Sequence, residues 1–333
     1  MLAAGVGADV TGLPNIPLAG MAPSPGSGRP RLPEWFKVKA PGGQAYAEIK
    51  QALRERGLST VCEEARCPNL AECWSGGKSG KGTATLMVMG GVCTRACRFC
   101  SVPTGKPGPL DPEEPRTSAE TIGIMGVGYV VITSVDRDDL ADRGADHFGR
   151  VIERCKADHP EVLVEVLTPD FAGNPDAPRR ILAAKPDVVA HNIESVRRLT
   201  PLVRDRRAAY DQSLAVLRGY KDAGAKFTKT SIMVGFGETR AEVEETLRDL
   251  RDAGVDIVTF GQYLRPTQEP RHLPVTEFVH PSQFDAYAEM AKSMGFLYVA
   301  SGPLVRSSYK AGELFLEGMI RGAEPASSAR TVT

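Results

Sequence analysis

From residue 83 onward, short apolar runs alternate with helical stretches, and few architectures accommodate that order. The strand candidates are Thr83–Met89, Tyr129–Thr133, Val162–Leu167, Val188–His191, Thr228–Val234 and Ile257–Gln262. A further short run, Leu297–Ala300, adds to them. Helical stretches fall between, at 117–127, 145–158, 176–184, 208–223, 239–253 and 282–294. Repeated βα units favour a parallel sheet with helices outside it. The expected fold is therefore α/β, a partial (β/α)6 TIM-like barrel with N- and C-terminal extensions. A doubly wound open sheet is the alternative. In a barrel, functional residues gather at the C-terminal ends of the strands, and here a cysteine-rich loop follows the first strand.

Six of the seven cysteines form two tight triplets, Cys62-x4-Cys67-x5-Cys73 and Cys93-x3-Cys97-x2-Cys100. Disulfide scaffolds are usually short, secreted and evenly laced, so this clustering reads as metal ligation in a reducing compartment. Three thiolates on the glycine-led loop at 93–100 suit three irons of a 4Fe–4S cluster and leave the fourth iron open for a ligand. Zinc is the rival occupant. Structural zinc usually takes four ligands, often as two Cys-x2-Cys pairs; here the spacing is three then two, with no nearby histidine. Cys62, Cys67 and Cys73 imply a second metal centre. The seventh, Cys155, sits in a helical stretch and reads as a small packing residue.

Charge is balanced at 41 basic and 41 acidic residues, which does not favour non-specific nucleic-acid binding. No apolar stretch reaches the roughly 18–20 residues that span a bilayer. A soluble, cytoplasmic protein is expected. Residues 1–32, rich in Gly, Pro and Ala, read as a flexible tail without the marks of a secretory signal. Residues 33–80 form an extension carrying the first triplet, with a helix expected over 43–57. The barrel is expected over 81–302, and a C-terminal extension with a disordered end over 303–333.

The run Cys93-Thr94-Arg95-Ala96-Cys97-Arg98-Phe99-Cys100 resembles the signature of the radical S-adenosylmethionine superfamily. Val61 to Trp74, with its triplet, resembles the auxiliary-cluster motif of the lipoyl synthase family. So do the stretches Val131 to Leu140, His191 to Glu194, Met233 to Thr239, Gly261 to Pro266 and the terminal Arg306-Ser307-Ser308-Tyr309. The resemblance implies two 4Fe–4S clusters and S-adenosylmethionine as cofactors. It implies radical insertion of two sulfur atoms at C6 and C8 of an octanoyl-lysine, with the auxiliary cluster consumed as sulfur donor. Cys93, Cys97 and Cys100 would then hold the catalytic cluster, while Cys62, Cys67 and Cys73 hold the auxiliary one. Ser308 is its implied fourth ligand and a catalytic residue; spacing does not separate it from Ser307. Thr133, Ser134, Asn192 and Glu194 follow strands and are candidate contacts to S-adenosylmethionine. Phe99 is a candidate shield of the cluster or neighbour of a bound base. The implied partners are octanoylated carrier domains (2-oxoacid dehydrogenase E2, the glycine cleavage H protein) and an electron donor such as ferredoxin or flavodoxin, with no nucleic acid and no membrane. Two rivals remain at this point: a methylthio-transferase acting on tRNA, and a non-catalytic iron–sulfur electron carrier.

Overall fold

The structure, a computed structural model, describes residues 32–36, 50–51, 54–55, 69, 73, 82–308 and 318. Seven strands form one sheet: β1 (Thr83–Val88), β2 (Tyr129–Ser134), β3 (Leu163–Leu167), β4 (Val188–Ala190), β5 (Thr228–Val234), β6 (Ile257–Gln262) and β7 (Tyr298–Gly302). Each pairs in parallel with the next, in the order β1 to β7 without reversal. A doubly wound sheet reverses at a switch point; this one does not, so the open-sheet alternative is set aside.

The helices are α1 (Glu114–Met125), α2 (Ala145–Asp158), α3 (Ala177–Ala183), α4 (Thr200–Val203), α5 (Tyr210–Asp222), α6 (Arg240–Asp252) and α7 (Pro281–Ser293). The expected boundaries hold within a few residues. α1 starts three residues early because Pro115 sits in its first turn, where its missing N–H costs nothing. The four-residue α4 was not expected; one turn carries no readable periodicity. Thr239 and Glu242 close a reciprocal capping box that starts α6. Of the helix expected over 43–57, residues 50–51 and 54–55 are described, and they are helical.

Strand β2 shows why the apolar runs are continuous. Val130 and Ile132 join the core under α1 and α2, whereas Tyr129 and Val131 face the barrel interior with Leu163, Val188 and Ile257. A strand buried on both faces has no polar alternation to show. The interior also holds a buried ion pair: Lys229 Nζ donates to both carboxylate oxygens of Glu165 (2.8 and 2.9 Å), and the Tyr129 hydroxyl donates to the same group (2.8 Å). A second core packs α5, α6 and α7 against β5 and β6. Cys155 is buried at 1 % exposure in the first core, as expected of a packing residue.

Candidate functional site

The site begins where β1 stops. Met89 and Gly90 take left-handed φ values (66° and 89°) and turn the chain out of the sheet. The Met89 N–H donates to both carboxylate oxygens of Glu114 in the first turn of α1 (2.9 Å each), and Glu114 also pairs with His147 Nε2 on α2 at 2.6 Å. The loop that follows closes on itself. Cys93 N–H donates to Pro103 O and Gly105 N–H to Cys93 O, both at 2.9 Å. The second triplet is thus held at the mouth of the barrel, past the end of β1.

Backbone donors face the sulfurs. The N–H groups of Arg95 (3.4 Å) and Asp136 (3.3 Å) point to Cys93 Sγ, and that of Asp205 to Cys97 Sγ (3.3 Å). Burial pushes the Cys93 thiol up to about 11 and the Cys97 thiol up to about 12, and it raises Cys100 as well. These thiols ionise when a metal takes the place of the proton. Among the described residues, no three His, Cys, Asp or Glu side chains converge on a single metal position. A cluster gives each thiolate its own iron and needs no such convergence. Three unbridged thiols with N–H groups aimed at two of them therefore fit a polynuclear cluster better than zinc.

Between Cys93 and Cys97, Arg95 is buried at 3 % exposure. It makes two bidentate pairs. One is to Asp138 (Nε and Nη2, both 2.9 Å), the other to Asp170 (Nη1 and Nη2, both 2.7 Å). Asp136 lies 3.4 Å away. The Arg95 hydrogen bond holds Asp138 below the usual carboxylate range. Burial opposes ionisation of Asp170, but Arg95 outweighs it and Asp170 is lowered too. For Asp136 burial wins, pushing it up to about 6. In the charged run Asp136 to Asp139, Asp139 is exposed, but Arg137 is buried at 2 % exposure and donates to Met89 O (3.3 Å), Gly108 O (3.0 Å) and Asp139. Arg137 lies in a charged run that the sequence marked, whereas Arg95 was given no role. The available signal for Arg95 was its position between Cys93 and Cys97.

The candidate contacts at the strand ends differ among themselves. Thr133 spends its hydroxyl on Leu167 O (2.8 Å). Ser134 Oγ and Asn192 Oδ1 are buried with no hydrogen-bond partner in the chain, whereas Asn192 Nδ2 donates to Glu194 at 3.1 Å. Buried polar atoms are normally satisfied, so these two orphans at the barrel mouth fit a polar ligand. Glu194 holds a left-handed φ of 68°, and burial raises its carboxyl pKa. Phe99 is half-buried and packs on the second core. Gly235 takes a φ of 106°, and a Cβ there would lie 2.0 Å from Gln262 Nε2 and 2.7 Å from Glu277 O, so the protein's own groups fill the space beside it.

Of the first triplet, Cys62 and Cys67 lie outside the described residues, as does Tyr309. Cys73 is half-buried against the first core, and its N–H donates to Asn69 O at 2.9 Å. Ser307 and Ser308 are half-buried in the segment after β7. That segment is seated on β6 at Gly261, where a Cβ would lie 2.2 Å from Val305 O.

A parallel partial barrel with a three-cysteine loop after its first strand is the architecture of a radical S-adenosylmethionine enzyme, and the radical SAM superfamily model matches residues 87–250. The fold is similar to that of HydG, a maturase of the FeFe-hydrogenase, with a TM-score of 0.54 at 14% identity over 77% of this chain and 63% of that one. The N-terminal domain of lipoyl synthase of the radical SAM family matches residues 19–67. Lipoyl synthases from Schizosaccharomyces pombe (mitochondrial; 56% identical, 91% of this chain, 82% of the relative), Halobacterium salinarum (54%, 90% and 96%) and Myxococcus xanthus (56%, 87% and 95%) share most of the sequence. The chain belongs to the lipoyl synthase family. The activity and cofactors follow the family: two 4Fe–4S clusters and S-adenosylmethionine, acting on lipoyl domains.

Proposed function

We propose that Cys93, Cys97 and Cys100 hold the cluster that cleaves S-adenosylmethionine, and that Cys62, Cys67, Cys73 and Ser308 hold the auxiliary cluster that donates sulfur. The observation that carries this reading is the pair of separate cysteine triplets, one on the loop past β1 and one upstream of the barrel. When bound, the first cluster and S-adenosylmethionine supply a radical able to take hydrogen from unactivated carbon, and the auxiliary cluster supplies the sulfur. The chain's own residues do the rest. The N–H groups of Arg95, Asp136 and Asp205 stabilise negative charge on the sulfurs. The arginine–aspartate cage fixes the loop. Ser134 and Asn192 offer unpaired polar atoms to S-adenosylmethionine, with Thr133, Glu194 and Phe99 bordering the same mouth. A serine oxygen is a harder, more easily released ligand for iron than a thiolate, which suits a cluster that must be dismantled.

The carriers in this reading are octanoylated E2 domains and the H protein, and the reductant is a small one-electron carrier such as ferredoxin or flavodoxin. The compartment proposed is the cytoplasm. The fungal relatives are named mitochondrial and the archaeal and myxobacterial ones are not. Among the described residues no helix is long and apolar enough to cross a membrane.

The test is an anaerobic assay with reconstituted protein, S-adenosylmethionine, dithionite and an octanoyl-lysyl peptide, read by mass spectrometry. Cys97→Ala is expected to abolish 5′-deoxyadenosine. Cys67→Ala is expected to keep some cleavage and lose sulfur insertion. Lipoyl product from Cys67→Ala would overturn the donor assignment.

A further inference from the structure

We propose that Asn69 is a positioning residue that latches the C-terminal segment onto the turn bearing Cys73 and so delivers Ser308 to the auxiliary cluster. The inference rests on the reading of Ser308 as that cluster's ligand. Asn69 lies between Cys67 and Cys73 and is buried at 4 % exposure. Its two functional groups point to the two halves of the site. The backbone carbonyl accepts from the Cys73 N–H at 2.9 Å. The carboxamide Nδ2 donates to Leu304 O at 2.6 Å, across 235 residues of sequence. One residue thereby holds a cysteine of the triplet and the strand-end segment that carries the serine.

The segment has a second anchor. Val305 O occupies the space above Gly261 that any larger residue would fill, and Val305 N–H donates to Gly302 O at 3.1 Å. Ser308 lies four residues on from Leu304, with three between them, and a chain that short reaches at most about 14 Å. Anchoring Leu304 therefore keeps the serine within that reach of the segment bonded to Asn69, whose carbonyl holds Cys73. The confinement matters because a serine oxygen is a weak ligand for iron. On a free chain end its effective concentration falls with every added unconstrained residue; pinned four residues away, it stays available without being tightly bonded. That combination lets the ligand hold the iron at rest and let it go during turnover.

The experiment uses the full chain with Cys93, Cys97 and Cys100 replaced by Ala, so that reconstituted iron reports the auxiliary site alone. Asn69→Asp keeps the side-chain size, removes the N–H donor and sets a carboxylate against Leu304 O. Ser308→Ala is the control that tests the underlying reading. The readouts are the 57Fe Mössbauer spectrum, in which an oxygen-ligated iron is distinct from thiolate-ligated ones, and the rate of iron loss to a chelator. Both variants are expected to lose the distinct iron and to release iron at least tenfold faster, with the double variant no worse than Ser308→Ala. Gly261→Ala disturbs the same segment from the opposite anchor and is expected to give the same spectrum, which keeps the test decisive if Asn69→Asp folds poorly. Wild-type spectra and release from Asn69→Asp and Gly261→Ala, beside an altered Ser308→Ala, would overturn the latch alone. An unaltered Ser308→Ala would overturn the reading of Ser308 and the latch with it.

Discussion

Arg95 stands between Cys93 and Cys97, yet everything it does is decided elsewhere in the chain. Its carboxylate partners lie 43 residues away at Asp138 and 75 away at Asp170. Sequence spacing makes three thiols visible because ligand chemistry acts locally; it gives no sign of a cage assembled from the ends of β2 and β3. Removing one partner of a buried ion pair leaves the others desolvated and unpaired, at a cost of about 3–5 kcal/mol. Arg95→Gln is expected to lower the stability of the apoprotein by that order in urea unfolding. Arg95→Lys is expected to recover only part of it, since a single ammonium cannot make two bidentate pairs. Two neighbouring hydroxyls separate structure from binding in the same way. Thr133→Ala loses the bond to Leu167 O and is expected to cost about 1 kcal/mol of stability. Ser134 Oγ has no partner in the chain, so Ser134→Ala is expected to leave stability unchanged and weaken S-adenosylmethionine binding about 3–10-fold. Calorimetry on cluster-loaded protein, set beside unfolding of the apoprotein, separates the two effects.

At the scale of elements, the strands and the longer helices were legible because each is an apolar or amphipathic run bounded by turns. How they are tied together was not. The residue after β4 shows this. His191 is buried at 2 % exposure and sits in a relay: Arg204 Nη1 donates to Ser213 Oγ (2.6 Å), Ser213 Oγ meets His191 Nε2 (3.0 Å), and His191 Nδ1 meets Thr168 O (2.9 Å). Thr168 in turn takes the Tyr220 hydroxyl at 3.0 Å. The relay joins α5 to the ends of β3 and β4. It works with a neutral ring that donates from Nδ1 and accepts at Nε2. Burial, and then the Arg204 charge, lower the His191 pKa to about 4 from an ordinary 6.5. The unfolded chain therefore binds the proton more readily than the folded one. This group's stability contribution is complete above pH 6.5 and is lost as pH falls through 6.5 towards 4. The expected loss is on the order of 3 kcal/mol, because each tenfold difference in proton affinity between the two states is worth about 1.4 kcal/mol. A His191→Gln apoprotein is expected to show a flatter pH dependence over that window. An unchanged slope in urea unfolding between about pH 7 and pH 4.5 would contradict the relay.

For the whole molecule, strand order carried the fold, and a contact between distant segments carried the proposed auxiliary site. Seven strands pairing in sequence order follow from repeated βα units, so the barrel could be read in advance. The meeting of residue 69 with residue 304 could not, because nothing in either neighbourhood encodes a contact between them. This division predicts how the molecule comes apart. β7 is held to β6 by the register Ile257↔Tyr298 to Gly261↔Gly302, which ends before Pro303. A chain stopped after Gly302 keeps that pairing, the cysteine loop and the Arg95 cage. It loses Leu304, Val305 and Ser308, which leaves the Asn69 carboxamide without its acceptor and uncovers Gly261. Such a chain is expected to bind S-adenosylmethionine and release 5′-deoxyadenosine under dithionite, to hold its auxiliary iron less firmly, and to place no sulfur on an octanoyl-lysyl peptide. Mass spectrometry of the peptide and chromatography of the nucleoside, from one anaerobic reaction, measure both halves. Dithiolated peptide from the shortened chain would mean that the sulfur donor stands without its C-terminal ligand. Loss of deoxyadenosine along with sulfur would mean that the two ends of the chain support the barrel itself rather than the auxiliary site.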